Sequence, residues 1–412
     1  MRARSTRRAV LAACGVALAG CTTSESPEED RGSPPENPSW PMFGFDAANT
    51  GFNTEDIGPQ TNVEKLWHAG VRGYYTLSTP VIADDTIYIG SGEYLYAIDT
   101  TGDRQWSTWL GALTHHFSPA IHDDLVYVGG RALSPTVNGE DEPGTLFALS
   151  RAAGSIEWEV ETHLTSAPII DEDTLYLSNA GGDRGYVLAL DPTSGAQRWE
   201  TTVESGRKSG VFSAPAVTNG HVYATGIHTE NGSNAGSVVA VDADDGEERW
   251  RTPFDDPPAS MPVVSDEKLF FTTRGGSVLA VSEATGETEW EIGTEKRLFT
   301  APAVADGTVY VSLNGTVLAV DAETGAEEWR NDVEENTRTG LSVVDGTVYV
   351  GGNSLYALAG DDGSMAWQVH FDGVAGTFGT PSVVGGTVYS GTCVKPTPQS
   401  LYDNYIYAVG ET

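Results

Sequence analysis

Lysine is scarce in this chain: five residues of 412, against eighteen arginines and 58 carboxylates. The formal charge is −35. That balance excludes nucleic acid as a natural partner, because phosphate binding depends on lysine and arginine displacing counterions. Cysteine is scarcer still, at positions 14, 21 and 393 only. No two are adjacent, and the first two lie in a segment read below as an export signal and lipidation site. Cys393 is then alone, which excludes an intrachain disulfide and leaves a small hydrophobe or a free thiol. Beyond the first 25 residues no stretch keeps a helical period, so a helical bundle is excluded. The HExxH helix, the P-loop and the G-x-S-x-G elbow are all missing, and with them the commonest signatures of zinc, nucleotide and serine-hydrolase chemistry.

What the chain has instead is repetition. A glycine precedes a tryptophan by four residues seven times, at Gly102/Trp106, Gly154/Trp158, Gly195/Trp199, Gly246/Trp250, Gly286/Trp290, Gly325/Trp329 and Gly363/Trp367. The clearest copies read Ala189-Leu-Asp-Pro-Thr-Ser-Gly195-Ala-Gln-Arg-Trp199 and Ala319-Val-Asp-Ala-Glu-Thr-Gly325-Ala-Glu-Glu-Trp329. A period of roughly 40 residues marks a repeat architecture. Each unit opens on a small residue and a proline, as in Ser166-Ala-Pro168, and proline suits a strand's first residue. An alternating apolar run, an Asp/Gly turn, a run such as Thr308-Val-Tyr-Val311, a third run such as Val317-Leu-Ala-Val320 and the tryptophan strand follow. Four short strands per unit of this length is a propeller blade. The repeated glycine is expected to take a positive φ in the hairpin before the last strand. The indoles are expected to dock on the neighbouring blade.

Strand openings at Pro80, Pro119, Pro168, Pro215, Pro262, Pro302, Leu341 and Pro381 predict eight blades, with seven as the alternative count. The last unit lacks a tryptophan strand of its own. Lys65-Leu-Trp67 lies 13 residues before Pro80, the spacing of Trp106 to Pro119. The fold expected is therefore an all-β, eight-bladed propeller of four-stranded antiparallel blades, closed into a ring by the amino-terminal strand. Closure removes sheet edges that invite aggregation. Trp67, Trp106, Trp158, Trp199, Trp250, Trp290, Trp329 and Trp367 form the docking set.

These motifs resemble the pyrroloquinoline-quinone (PQQ)-type propeller repeat, with its Ala-x-Asp-x-x-Thr-Gly-x-x-x-Trp docking motif, over residues 40–409. The opening Trp40-Pro-Met-Phe-Gly-Phe-Asp-Ala-Ala-Asn-Thr-Gly51 resembles the first segment of such propellers from halophilic archaea. Quinoprotein dehydrogenases and non-catalytic, BamB-like lipoproteins share the repeat, so it speaks for the fold far more than for a function. In the dehydrogenases the resemblance implies a quinone between a tryptophan and a disulfide of adjacent cysteines. A calcium ion sits beside it, on carboxylate and amide oxygens, with an aspartate base. This chain cannot form that disulfide, and no motif places the base. The expectation is a non-enzyme without catalytic residues, cofactor or metal; PQQ with calcium is the alternative. Asp242-Ala-Asp-Asp-Gly246 has calcium-loop composition, but Pro253 stands where an EF-hand needs its twelfth-position glutamate, so a turn is the stronger reading.

Arg2, Arg4, Arg7 and Arg8 precede an apolar stretch at residues 9–20 that is too short to span a membrane. Thr6-Arg7-Arg8-Ala-Val-Leu11 reads as a twin-arginine export signal, and Leu18-Ala-Gly-Cys21 as a lipobox with Cys21 as the lipidated residue. The expected division is a signal peptide over 1–20, an acidic, proline-rich tether over 21–39 and a propeller over 40–412. The chain is thus expected outside the cell, anchored by lipid to the outer face of the cytoplasmic membrane. Acidic residues are spread over every repeat, which reads as adaptation to high salt: self-repulsion fades when the Debye length falls to about 3 Å. A patch aimed at a cationic partner is the rival.

The segments between each tryptophan and the next strand opening are expected on one face, near the central channel. His115, His116, Arg207, Lys208, Arg297 and Arg338 fall in them and form a candidate channel-mouth anion site. His163 and Lys296 fall there too, with Glu204, Asp255, Asp256, Glu295, Glu334 and Glu335 in the same segments as the carboxylates that would neutralise them. The function expected is a monomeric binding or scaffold module for an unidentified protein or small anionic ligand. A quinoprotein dehydrogenase and a structural surface protein are the alternatives.

Overall fold

The computed structural model describes residues 38–412 except 74–76, 115–116, 133–135, 138–139, 142, 164–165, 182–183, 206–209, 212, 231–232, 295, 297–299, 334–338, 372–373, 378 and 395–402. Strands begin where the prolines end. Val81–Ala83, Ala120–His122, Ile169–Asp171, Ala216–Thr218, Val263–Ser265, Ala303–Ala305, Leu341–Val344 and Ser382–Val384 are the innermost strands of eight antiparallel sheets. In the first blade the order outward is Val81–Ala83, Thr86–Ser91, Tyr94–Asp99 and Arg104–Trp109, and the other blades repeat it. The short innermost strand turns back through residues with positive φ, such as Asp84, Asp123, Asp306 and Asp345. Asp tolerates that region better than most side chains.

The eighth blade joins the two ends of the propeller. Its inner three strands are Ser382–Val384, Thr387–Val394 and Asp403–Glu411, and its outer strand is Val63–Arg72 from the front of the chain. Trp67 pairs with Ala408 there, the place that Trp106 holds against Ala97. Eight blades and closure by the amino-terminal strand are thus both present. Several short strands follow from no repeat: Phe52–Asn53, parallel to Leu341–Val344, and a hairpin of Thr136–Val137 with Glu140–Asp141.

Each docking indole crosses to the next blade. Trp67 Nε1 donates to the Thr100 carbonyl (2.9 Å), Trp106 to Arg151 (2.8 Å), Trp158 to Pro192 (3.1 Å) and Trp199 to Ala243 (2.8 Å). Trp250 donates to Glu283 (2.9 Å), Trp290 to Ala322 (3.0 Å) and Trp329 to Gly360 (2.7 Å). Trp367 completes the circuit on Pro59 (2.8 Å), just ahead of the closing strand. Beneath each of the first seven indoles lies the repeated glycine of the neighbouring blade. Gly325 shows why nothing larger fits: its φ is 70°, and a Cβ would sit 2.8 Å from Trp290. Within each blade the indole also lies against an aromatic ring on the second strand, with centroids 5.9 Å apart for Tyr310 and Trp329. Burial of such rings stabilises each junction by about 2–3 kcal/mol.

Where the repeat carries an aspartate before the glycine, at Asp99, Asp191, Asp242 and Asp321, it shapes the same turn. Asp191 Oδ1 accepts from the Thr193 hydroxyl (2.6 Å) and the Ser194 hydroxyl (2.8 Å), and Asp321 Oδ1 from the Thr324 hydroxyl (2.5 Å). These bonds favour the charged form and hold both carboxyls below the usual aspartate range, led by the threonine hydroxyl in each case. Asp242 is held low chiefly by Arg249, and its Oδ1 accepts the Asp244 amide (2.9 Å), the arrangement of a turn. Cys393 falls in the strand Thr387–Val394.

Two expectations follow. Gly325→Ala meets both the positive φ and the indole, and lowers unfolding stability by about 1–3 kcal/mol in denaturant titration, whereas Ala326→Ser beside it is near neutral. Asp191 has a depressed folded-state pKa, so its contribution is present above the unfolded value and is lost as pH falls through the folded one. The destabilisation caused by Asp191→Ala at pH 7 should therefore shrink steadily below about pH 4; a pH-independent difference would contradict this.

Candidate functional site

The innermost strands leave one edge facing the ring axis, and the front of the chain covers it. Residues 40–57 run past the blades in ring order. The Ile82 amide donates to the Trp40 carbonyl (2.8 Å), Ile121 to Pro41 (2.9 Å), Val217 to Ala47 (2.7 Å) and Val264 to Ala48 (2.9 Å). Val304 then donates to Thr50 (2.9 Å), Val343 to Gly51 (2.8 Å), and Gly385 to the Asp56 carboxylate (2.7 Å). Seven of the eight blades are tied to this one segment. Burial pushes the Asp56 carboxyl above its usual range, against the pull of the Gly385 amide.

Above that segment lies an axial cavity of about 340 Å³. Phe43, Gly44, Asn49 and Gly51 of the front segment line it, with the residues that open the innermost strands around the wall. That wall is rich in hydroxyls, from Ser118, Ser166, Ser213, Ser260, Thr300, Thr339 and Thr380. Most serve the fold. The Ser166 hydroxyl accepts the Ser178 amide (2.9 Å), Ser260 the Thr272 amide (3.0 Å) and Thr339 the Gly351 amide (3.0 Å), each twelve residues on. The hydroxyl two places before the strand opening is thus a repeated pin between the first two strands. The sequence carries the signal in its Ser/Thr-x-Pro openings, where the hydroxyl matters as much as the small size.

The six candidate anion-site residues, His115, His116, Arg207, Lys208, Arg297 and Arg338, lie outside the described residues, as do Cys21, Arg7 and Arg8. Of the two other basic residues assigned to the same segments, Lys296 donates through Nζ to Thr316 Oγ1 of the next blade (3.2 Å) and His163 lines a separate surface hollow. Neither lines the axial cavity. Among its described lining residues none is charged, and none is a tryptophan or a cysteine. These residues do not fit a quinone clamped between tryptophan and disulfide, nor a calcium ion on carboxylates.

Glu204 is not a solvent-facing counter-charge. It is 7% exposed, wedged between the third and fourth blades. Its Oε1 accepts the Ser237 hydroxyl (2.6 Å), its Oε2 lies 2.9 Å from His228 Nδ1, and Arg251 donates to the Ser237 hydroxyl (3.2 Å). Gly226 makes room, since a Cβ there would meet Glu204 Cγ at 2.3 Å. Asp256 is also taken, accepting the Thr273 hydroxyl (2.5 Å) and the Gly275 amide (2.9 Å).

Comparison with known proteins places this architecture. The family model described as outer membrane protein assembly factor BamB matches residues 60–233, 234–314 and 313–409. The outer membrane protein assembly factor BamB of Yersinia pestis is 32% identical over 184 residues, covering 43% of this chain and 46% of that protein. The quinohemoprotein alcohol dehydrogenase of Comamonas testosteroni is 28% identical over 197 residues, covering 41% of this chain and 26% of its own. This chain thus aligns with less than half the length of these curated relatives. Among solved structures, that Comamonas testosteroni enzyme superposes with a TM-score of 0.72 at 16% identity, over 90% of this chain and 80% of the other. BamB from Moraxella catarrhalis superposes with a TM-score of 0.61 at 18% identity, over 84% and 97%. At these identities the superpositions speak for the fold alone.

Removing the buried carboxylate strands two polar partners, the Ser237 hydroxyl and His228 Nδ1. Glu204→Ala is expected to cost about 3 kcal/mol in equilibrium unfolding; a loss below about 0.5 kcal/mol would show that the cluster is solvated.

Proposed function

This chain belongs to the outer membrane protein assembly factor BamB family, and from that premise we propose that it is an exported, lipid-anchored binding and scaffold module. One observation carries the reading: a rigid ring, tied blade to blade and to its own front segment, surrounds a cavity whose described lining holds no acid, base or nucleophilic thiol. Such a ring presents loops on a fixed frame, which suits recognition. Residues 1–20 act as the export signal, Cys21 carries the lipid, and residues 21–39 hold the propeller off the outer face of the cytoplasmic membrane. The partner is a protein of that surface or a small anionic ligand. For the latter, two of the six basic residues are close in sequence to residues of the cavity wall: Arg297 precedes Thr300 by three residues and Arg338 precedes Thr339 by one. The charge of −35 fits work in molar salt.

A quinone-dependent dehydrogenase is the second reading, favoured by the 28% identity over 197 residues to the Comamonas testosteroni enzyme. The two separate cleanly. The chain without its signal, in molar salt with calcium, is titrated with pyrroloquinoline quinone, with tryptophan fluorescence as readout and dye reduction by alcohols as the activity assay. The scaffold reading expects neither a saturable change nor dye reduction; both together would overturn it. In parallel, Cys21→Ser should move the expressed protein from the membrane fraction to the soluble one.

A further inference from the structure

Trp109 stands outside the repeat. In the other blades the place three residues after the docking tryptophan holds glycine, glutamate, threonine, proline, aspartate or histidine, so the blade does not require an indole there. Trp109 is 58% exposed, more than any other large apolar side chain among the described residues. The ring is nonetheless held in place. Its Nε1 donates to Glu93 Oε2 (2.7 Å), and the Glu93 carbonyl accepts the Leu110 amide (2.9 Å). Behind it the chain turns at Gly111, whose φ is 66°. A Cβ on Gly111 would lie 3.2 to 3.6 Å from three carbons of the six-membered ring, which puts this glycine behind one face of the indole. Tyr94 stands opposite Trp109 in the ladder, on the same side of the blade, and is half-buried. An aromatic face that is backed, fixed at its edge and open in front is a preformed stacking surface.

The extent and chemistry of this surface select what covers it. A protein interface takes about 800 Å² from each partner, and one aromatic side chain supplies about 250 Å² at most. The other exposed large apolar residues do not extend it. Ile156 and Met365 open the outer strands of the second and seventh blades and Leu66 lies on that of the eighth, whereas Trp109 closes that of the first. An ammonium ion is held well where several ring faces exclude water around it; over one open face the attraction is small, and salt screens it. A pyranose fits what is present. One side of the sugar ring is flat and rich in C–H groups, which stack on an indole. Its hydroxyls radiate at the edge, where the Glu93 carboxylate keeps Oε1 to accept from them. The same carboxylate repels an acidic sugar. A free monosaccharide is normally enclosed by its site, but an open platform covers one face only, which suits a single residue within a longer chain. We propose that Trp109, with Glu93 at its edge and Tyr94 beside it, is a binding platform for one pyranose residue of a neutral glycan chain.

This platform uses neither the axial cavity nor the six basic residues, so it stands or falls apart from the anionic-ligand reading. Its test is saturation-transfer NMR on the chain without its signal, in molar salt, with cellohexaose, maltohexaose and mannohexaose as probes and glucose, mannose and choline beside them. The expected result is saturable transfer to at least one hexasaccharide. Trp109→Ala should weaken that binding about 10-fold or more, and Trp109→Phe, which keeps a smaller face, should weaken it less. Met365→Ala removes an exposed apolar side chain elsewhere and should leave it unchanged. Thermal unfolding of each variant checks that the fold is retained. The bound glycan should also shield part of the tryptophan fluorescence from acrylamide, and this protection should vanish in Trp109→Phe. No binding of any hexasaccharide, binding that survives Trp109→Ala, tighter binding of a monosaccharide than of its hexamer, or displacement of the glycan by choline would each overturn the inference.

Discussion

The structure depends on the junction between an indole and the turn of the next blade. Without it each four-stranded sheet is a separate, marginal unit with two apolar faces. The junction combines three constraints that reinforce one another. The ring covers apolar area, its Nε1 satisfies a carbonyl such as that of Ala322, and the glycine beneath it both turns the chain and leaves room for the ring. Because the donor is on one blade and the turn on the next, each bond orients its neighbour as well as attaching it. A closed ring of such bonds has no terminal blade on which fraying can begin.

How far the sequence discloses this can be read at the two ends of the chain. Gly325 and Trp329 advertise a junction because they repeat at fixed spacing, and repetition survives any uncertainty about single residues. Trp67 could be placed in the last blade for the same reason, since its distance to Pro80 matches an internal spacing. The acceptor for Trp367 could not. The eighth blade ends at Thr412 without an Asp-x-x-Thr-Gly turn, and the Pro59 carbonyl takes the turn's place. Nothing in Pro59 marks it as a substitute, because a backbone carbonyl has no sequence signature. The same holds for residues 40–57, whose contacts to the innermost strands are made mostly by main-chain atoms, Asn49 and Asp56 adding side-chain bonds.

Glu204 shows a different limit. In a chain with 58 carboxylates, one more acid near a loop reads as solvated. Its burial depends on Gly226, Ser237 and His228, which belong to the next repeat and match no pattern with it. Lys268 is a parallel case. Its unit has Phe270 where other blades have tyrosine, and its ammonium reaches Glu323 of the next blade at 2.6 Å. A polar tie between blades is retained there, with a charge in place of a phenol, in a molecule with few cations to spare.

The serine and threonine hydroxyls of the strand openings separate what the repeat specifies from what it leaves open. Ser166, Ser260 and Thr339 are spoken for by the amides twelve residues on, so their recurrence is explained by the blade and needs no ligand. Asn49 is not a repeat residue. It occurs once, in the segment that crosses the axis, and its amide hydrogens hold two blades in register. A methyl-terminated side chain of similar size would lose those two bonds, which accounts for the nitrogen. The oxygen lies against Gly44 and is shut off from solvent. Eightfold geometry forces some axial space, because eight innermost strands that touch their neighbours around a ring cannot also meet at its centre. The described wall of that space carries seven hydroxyls and no charged group, in a protein whose formal charge is −35.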